Sequence, residues 1–309
     1  MKKAQSKLLS SKKHNMKKSF PLYIMFLPVL IYYLVFRYIP LIMSFIISIE
    51  NYVPAKGILG SKFVGFRYYT QFLSSVFFWR LIRNTLVINL LQLTVGFAAP
   101  LVLALLLNEV EREKFKKSVQ TITYLPNFIS SVVVVGMVLS FLSTNGLINN
   151  ILSSFGIPRV NYMSEPKYFW GIYTIMTIWQ TAGYNAIIYL ASLSGISQEL
   201  YEAARIDGAG RIAQLRYITL PGLTPTIVLL FLMKLGRVLD VGYETIILMY
   251  NSSIYETADV IGSYVYRRGI LNAEYSFSSA VGFFQAALGL ILVIAANKAS
   301  KKYTETGLW

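Results

Sequence analysis

The chain has 309 residues, of which 55% are hydrophobic and 14% charged, and its mean hydropathy is +0.53. A soluble domain carries about 25% charged residues, so this chain has too little polar surface to clothe a water-soluble globule and reads as an all-α integral membrane protein. It has no cysteine and one histidine, His14 in a basic tail, which excludes disulfides, thiolate or multi-histidine metal sites, and cysteine or histidine catalysis. The net charge of +15 does not point to nucleic acid, because the basic residues flank apolar runs rather than forming a stripe.

Residues 1–18 hold seven lysines and no acid. We read them as a disordered cytoplasmic tail attracted to anionic membrane lipid, and residues 19–309 as one transmembrane domain. A basic start before an apolar run also opens a signal peptide, but this run is too long and lacks a small-residue cleavage pattern. It reads as a retained first span. Runs long enough to cross a ~30 Å hydrocarbon core as helices fall at about 20–49, 84–108, 118–143, 168–193, 223–249 and 279–297. Six spans put both termini on one side. With that side cytoplasmic, 17 Lys and Arg lie inside and 9 outside, the bias that orients a multi-pass plasma-membrane protein.

The middle of the fourth span gathers Trp179, Gln180, Thr181, Gly183, Tyr184 and Asn185. The inner segment that follows, 194–222, contains Glu202-Ala203-Ala204-Arg205-Ile206-Asp207-Gly208-Ala209 and then Ile218-Thr219-Leu220-Pro221. Glu202, Ala203 and Ala204 favour helix, and Asp207-Gly208 ends or bends it. Tyr201, Ala204 and Gly208 share one side at helical spacing, which predicts a short helix with a small-residue face able to sit in a groove on another protein. A helix that merely joins two spans fits the same residues. Leu220-Pro221 is expected to open the next span, where proline in the first turn costs little.

The fifth span places Lys234, Arg237 and Asp240 three residues apart around its midpoint, with Glu244 four beyond, on one broad face of a continuous helix. A charge there costs roughly 2.5–3.5 kcal/mol on insertion scales. Either Arg237 and Asp240 pair with each other, or these residues line a hydrated path. Beyond it, Tyr255, Tyr264, Tyr266, Arg267 and Arg268 read either as an interfacial aromatic belt or as a contact for an extracellular protein. No Gly-x-x-x-x-Gly-Lys-Ser/Thr phosphate loop occurs, so the chain does not bind ATP by that route.

The inner segment closely resembles the EAA loop of ABC importer permeases: Glu202-Ala203-Ala204, Asp207-Gly208-Ala209, Ile218, Leu220-Pro221 and Pro225 match its pattern. Phe63-Val64-Gly65-Phe66-Arg67-Tyr68-Tyr69 before Asn84-Thr85-Leu86 resembles the outer segment of the sugar-type permeases. Val241-Gly242-Tyr243-Glu244, Tyr250-Asn251 and Tyr264-Val265-Tyr266 resemble their LplB-like branch for oligosaccharides and polysaccharides. Two places depart from the pattern: Ser197 stands where proline is common, and Ile212 and Leu215 where aromatic residues are.

The resemblance implies a prokaryotic permease subunit of an ATP-driven importer, with no catalytic residues, metal or cofactor of its own. ATP and magnesium belong to two separate ATPase subunits, and a second, different EAA-type permease and an extracellular substrate-binding protein complete the machine. The EAA segment becomes the coupling helix that docks on an ATPase, with Glu202 and Gly208 foremost and Ala203, Ala204 and Asp207 beside them. The cargo implied is an oligosaccharide or larger glycan. Sugars need hydrogen-bonding groups together with flat apolar surfaces, so Trp179, Tyr184, Asn185, Asp240 and Tyr243 are the candidates for the path. A glycerol-phosphate-type cargo, using Lys234 and Arg237 as phosphate-binding charges, is the rival within this class, and an ion-coupled carrier or channel the rival outside it.

Overall fold

A computed structural model describes residues 20–304, with side chains to Lys301; the basic tail 1–18 lies outside the described residues. The chain is an all-α polytopic membrane protein. Among the described residues the only strands are a short antiparallel pair, β1 (Glu50–Asn51) and β2 (Lys62–Phe63), with Glu50 opposite Phe63. Five helical stretches are long and apolar enough to cross a membrane: Phe20–Ser48, Phe78–Asn108, Ser131–Ser154, Arg211–Leu235 and Tyr275–Lys301.

The first of these, α1 (Phe20–Ser48), contains a π turn at Leu34–Tyr38. Proline inside a helix lacks an N–H, and its ring collides with the carbonyl four residues back. Pro40 would meet that of Phe36, and the wider turn gives it room. The short helix α2 (Arg67–Leu73) leads to α3 (Phe78–Asn108). α3 packs along much of its length on α7 (Phe169–Ser194). Ala104 of α3 meets Ala186, Tyr189 and Leu193 of α7 in one buried cluster, where small residues let the helices approach closely. α7 has 26 residues and no charge, about 39 Å of helix, but its Thr, Gln, Asn and Tyr residues keep its hydropathy below that of the other five.

Residues 118–143 are not one helix. α4 (Glu113–Tyr124) ends in a 3₁₀ turn at Leu125–Phe128, and α5 (Ser131–Leu142) starts afresh. Pro126 has no N–H to continue the ladder, and the Ser130 hydroxyl accepts a hydrogen bond from the Val133 N–H at 3.4 Å, capping the new helix. A turn at 143–146 then separates α6 (Leu147–Ser154).

The expected fifth span, 223–249, also differs. Beyond α8 (Gln198–Ile206), α9 begins early, at Arg211, and runs to Leu235. Pro221 therefore lies inside it, preceded by a π turn at Leu215–Thr219 that relieves the clash much as in α1. α9 stops at Gly236, and α10 (Tyr243–Met249) starts only after Gly242. Two glycines six positions apart supply little helix propensity, so the chain turns where a continuous helix was expected. After α11 (Ile261–Tyr266), α12 (Tyr275–Thr304) closes the bundle against α1, α2 and α9.

The segment between α10 and α12 is fastened to the start of α3 by a buried carboxylate. Asp259 is fully buried and takes Arg80 at 3.1 Å, Arg267 at 2.7 Å and the Ser263 hydroxyl at 2.9 Å. Asn84 donates to the carbonyls of Glu256 and Asp259, both at 2.9 Å. Burial by itself lowers the Arg267 pKa, but the hydrogen bond and charge of Asp259 outweigh it and the net shift is upward. Arg267 also lies over the rings of Tyr255 and Tyr264. The aromatic residues expected to form a belt thus hold a structural charge cluster in this chain.

Candidate functional site

Two places concentrate the polar residues that the sequence marks. The first is the short inner helix α8. Ser197 caps its start, its hydroxyl accepting from the Glu199 N–H at 3.3 Å, so the departure from proline at this position replaces one helix-start device with another. Its end is a Schellman closure: Gly208 N–H donates to Arg205 O at 3.1 Å and Ala209 N–H to Ala204 O at 2.8 Å. Gly208 has φ +80°, a conformation that costs a residue with a Cβ roughly 1–2 kcal/mol.

Tyr201 and Ala204 are half-buried, and the Tyr201 hydroxyl lies 3.0 Å from that of Thr219, the last residue of the π turn in α9. Of the side expected to meet another protein, Tyr201 is engaged by this chain through that bond, while Gly208 is exposed. Glu202, Ala203, Arg205, Asp207 and Gly208 are exposed. So are Ile206 and Ile212, at 87% and 82%. Ile206 recurs at i+3 and i+4 from Ala203 and Glu202, the spacing that would have revealed it in the sequence.

The second place is the break in α9. Among the described residues no ion pair joins Arg237 to Asp240 or to any other acid, so the pairing left open above is not formed within the chain. The turn is held instead by its backbone, with Asp240 N–H donating to Arg237 O at 2.8 Å. The Gln285 amide on α12 donates to Leu239 O at 2.6 Å. That bond satisfies a carbonyl freed by the break, as irregular backbone within a membrane protein requires.

Asp240 and Tyr243 open into a cavity of about 790 Å³ that also takes in Tyr52, Tyr266, Tyr275 and Gln285. Its rings come in pairs, Tyr243 with Tyr266 at 6.3 Å and Tyr52 with Tyr275 at 6.1 Å. Flat apolar faces edged by hydroxyls, an amide and a carboxylate suit a polyhydroxylated cargo. Tyr52, Tyr275 and Gln285 carry no pattern that marks them in the sequence: Tyr52 follows β1, and Tyr275 and Gln285 sit ten residues apart on α12.

The five path candidates are not brought together. Asp240 and Tyr243 share this cavity. Asn185 lines a separate notch beside Lys234. Trp179 and Tyr184 line neither; both are about half exposed on α7, with Tyr184 edge-on to Phe128 at 6.2 Å. Gly183 between them is fixed by packing, because a Cβ there would strike the Thr123 carbonyl on α4.

The family described as "Binding-protein-dependent transport system inner membrane component" matches residues 96–304. The chain belongs to that family. It is 42% identical to the polygalacturonan/rhamnogalacturonan transport system permease protein YteP of Bacillus subtilis (strain 168), over 93% of this chain and 90% of that one. It is 39% identical to protein LplB of the same organism, over 93% and 91%. The fold matches a chain in the crystal structure of a bacterial alginate ABC transporter in complex with alginate pentasaccharide-bound periplasmic protein. The TM-score is 0.88 at 42% identity, covering 96% of this chain and 99% of that one. The protein is accordingly a permease subunit of an ABC importer and not an enzyme, which removes the ion-coupled carrier or channel from consideration.

Proposed function

We propose that the chain is one of two different EAA-type permeases forming the pore of a prokaryotic importer for an oligosaccharide or larger glycan. It crosses the plasma membrane six times with both termini in the cytoplasm. An extracellular binding protein delivers the glycan, and two ATPase subunits holding ATP and magnesium drive import. One relative named for polygalacturonan/rhamnogalacturonan transport, and one of solved structure named for alginate, support the cargo class.

The observation that carries the reading is the outward face of α8. A capped helix between two apolar stretches presents Glu202, Ala203, Ile206, Asp207 and Gly208 to the cytoplasm while Tyr201 ties it back to α9. Docking of that face on an ATPase lets closure of the ATPases push α8 and, through α9, alter the break at Gly236–Gly242 beside the cavity. A permease can respond only as far as its two states differ in their contacts with the partner, so the rigid cap matters: a fraying helix would absorb the displacement.

The test is purification of the whole complex with tagged permease, followed by glycan-stimulated ATP hydrolysis in liposomes with the binding protein. The expected outcome is stimulation by at least one uronate or neutral oligosaccharide, and loss of the ATPase from the complex in Glu202→Lys. An intact, fully stimulated Glu202→Lys complex would refute docking through α8.

A further inference from the structure

Helix α8 stands over a hollow. None of its residues is buried, and a cavity of about 540 Å³ lies between it, the end of α3, the first turn of α4 and the start of α9. Gln198, Tyr201 and Arg205 line that cavity from one side of α8 at helical spacing. Lys116 contributes from α4, and Arg211 and Gln214 from α9. Three cations from three helices thus converge on one space.

Two acids share the rim, and both belong to Arg211. It reaches Glu109 at 4.0 Å and Glu111 at 3.6 Å, longer than the about 2.7–2.9 Å of a charge-assisted hydrogen bond. Among the described residues Lys116, which is half-buried, and Arg205 have no acidic partner. The lining therefore carries three cations against two acids, and two of the cations are unanswered. A cleft with an excess of one sign of charge concentrates counter-ions.

The rest of the lining is built for hydroxyl groups. Its one aliphatic side chain is that of Leu215. The Gln214 amide nitrogen is already bonded to Ala209 O at 2.8 Å, which leaves its carbonyl to accept, and the Gln198 amide both donates and accepts. Water fills such a space without matching its charge. A phosphate matches it, because the Arg205 fork fits two phosphate oxygens and the Lys116 ammonium adds a point charge. At about 30 Å³ per water-sized group the cavity holds about 18, against about 16 non-hydrogen atoms in a hexose phosphate. Inorganic phosphate leaves most of it empty.

We infer that this cavity is a regulatory site for a small phosphate monoester with a hydroxylated body, such as a sugar phosphate on the cytoplasmic side. Arg205 and Lys116 hold the phosphate, and Gln198, Tyr201 and Gln214 meet the hydroxyls. A ligand that bridges α8 to α4 favours the state in which α8 stays where it is, and so opposes its displacement by the ATPases. Site and ATPase contact are then linked in both directions. The inference rests on the reading of α8 as the ATPase contact.

The test measures binding of radiolabelled glucose 6-phosphate to the whole complex in phosphatidylcholine liposomes, whose lipid carries no net charge, and glycan-stimulated ATP hydrolysis in the same samples. Wild type is expected to bind it, with glucose and inorganic phosphate competing at least tenfold less well, and stimulated hydrolysis is expected to fall as the site fills. Lys116→Gln is expected to weaken binding about tenfold, the loss of one good charge contact, with hydrolysis unchanged when glucose 6-phosphate is left out. Lys114→Gln removes an equal charge from an exposed position on α4 outside the cavity, and is expected to bind as wild type does. No binding to wild type, full binding in Lys116→Gln, or equal weakening by Lys114→Gln overturns the site and leaves the import reading standing, provided that glycan still stimulates hydrolysis. Equal competition by glucose or inorganic phosphate overturns the ligand class, as does displacement by phosphatidylglycerol added to the liposomes, which assigns the anion to a lipid headgroup. Equal inhibition of ATPase subunits freed of the permease overturns the regulatory role. A permease that binds glucose 6-phosphate but retains no ATPase overturns docking through α8, and the regulatory role with it.

Discussion

The outer charge cluster and the break in α9 use the same residue types and treat them oppositely. At the outer cluster, Asp259 is fully buried and two arginines and a serine answer it within the chain. At the break, Lys234, Arg237 and Asp240 have no ionic partner among the described residues, and Arg237 and Asp240 are exposed. A charge satisfied internally stabilises one arrangement and resists change. A charge left open has to be answered by water, cargo or another subunit, and the answer can differ between states. The first place reads as a fastening and the second as a place of work.

The largest effect that bears on this contrast is expected from Asp259→Ala. It leaves Arg80 and Arg267 without their shared carboxylate, and breaking a buried charge cluster costs about 3–5 kcal/mol. Thermal unfolding of the purified complex measures it; a loss below about 1 kcal/mol would mean that the arginines are held by something else.

Next comes Gly208→Ala, which strains the φ +80° cap by about 1–2 kcal/mol and should reduce ATPase retained on the complex roughly tenfold. Gly210→Ala is its control: Gly210 has φ −72° and open space around it, so retention should stay at the wild-type level. Equal behaviour of the two variants would remove the cap from the argument.

Tyr201→Phe and Thr219→Val delete their shared hydrogen bond from either end, worth about 0.5–1.5 kcal/mol, and Thr219→Val also removes the longer 3.3 Å bond to Gln214 O within α9. Both should leave the ATPase bound while raising ATP consumed per glycan imported, and the double variant should be no worse than either single one. Additive effects would show that the two hydroxyls act separately.

Smallest in stability are Arg237→Gln and Asp240→Asn, expected within about 0.5 kcal/mol of wild type while glycan uptake falls. A thermal loss as large as that of Asp259→Ala would place a subunit-borne partner on these charges and erase the contrast.

Much of this was legible in the sequence. Low charge and long apolar runs fixed the class, since hydrocarbon leaves few alternatives to helix. Glu202-Ala203-Ala204 followed by Asp207-Gly208 located a short capped helix, because helix propensity and the αL tolerance of glycine act within a few residues. The bond between Tyr201 and Thr219 was not legible, because Thr219 lies in the next element. The runs 118–143 and 223–249 looked continuous because apolar composition averages over about 20 residues, whereas Pro126 and the glycines at 236 and 242 act on single hydrogen bonds.

What the sequence by itself determined is what depends on local composition and spacing: an all-α membrane chain, its basic flanks, the lack of an ATP-binding loop, and a short capped inner helix. Tertiary structure alone decided which polar groups meet. It set Asp259 between arginines 179 and 8 residues away, gathered Tyr52, Asp240 and Tyr275 around one cavity, and left Lys234 beside a notch without an acid. Hydrogen bonds and charges act over a few ångströms in space, and no local pattern records which distant residues the packing of helices will bring within that reach.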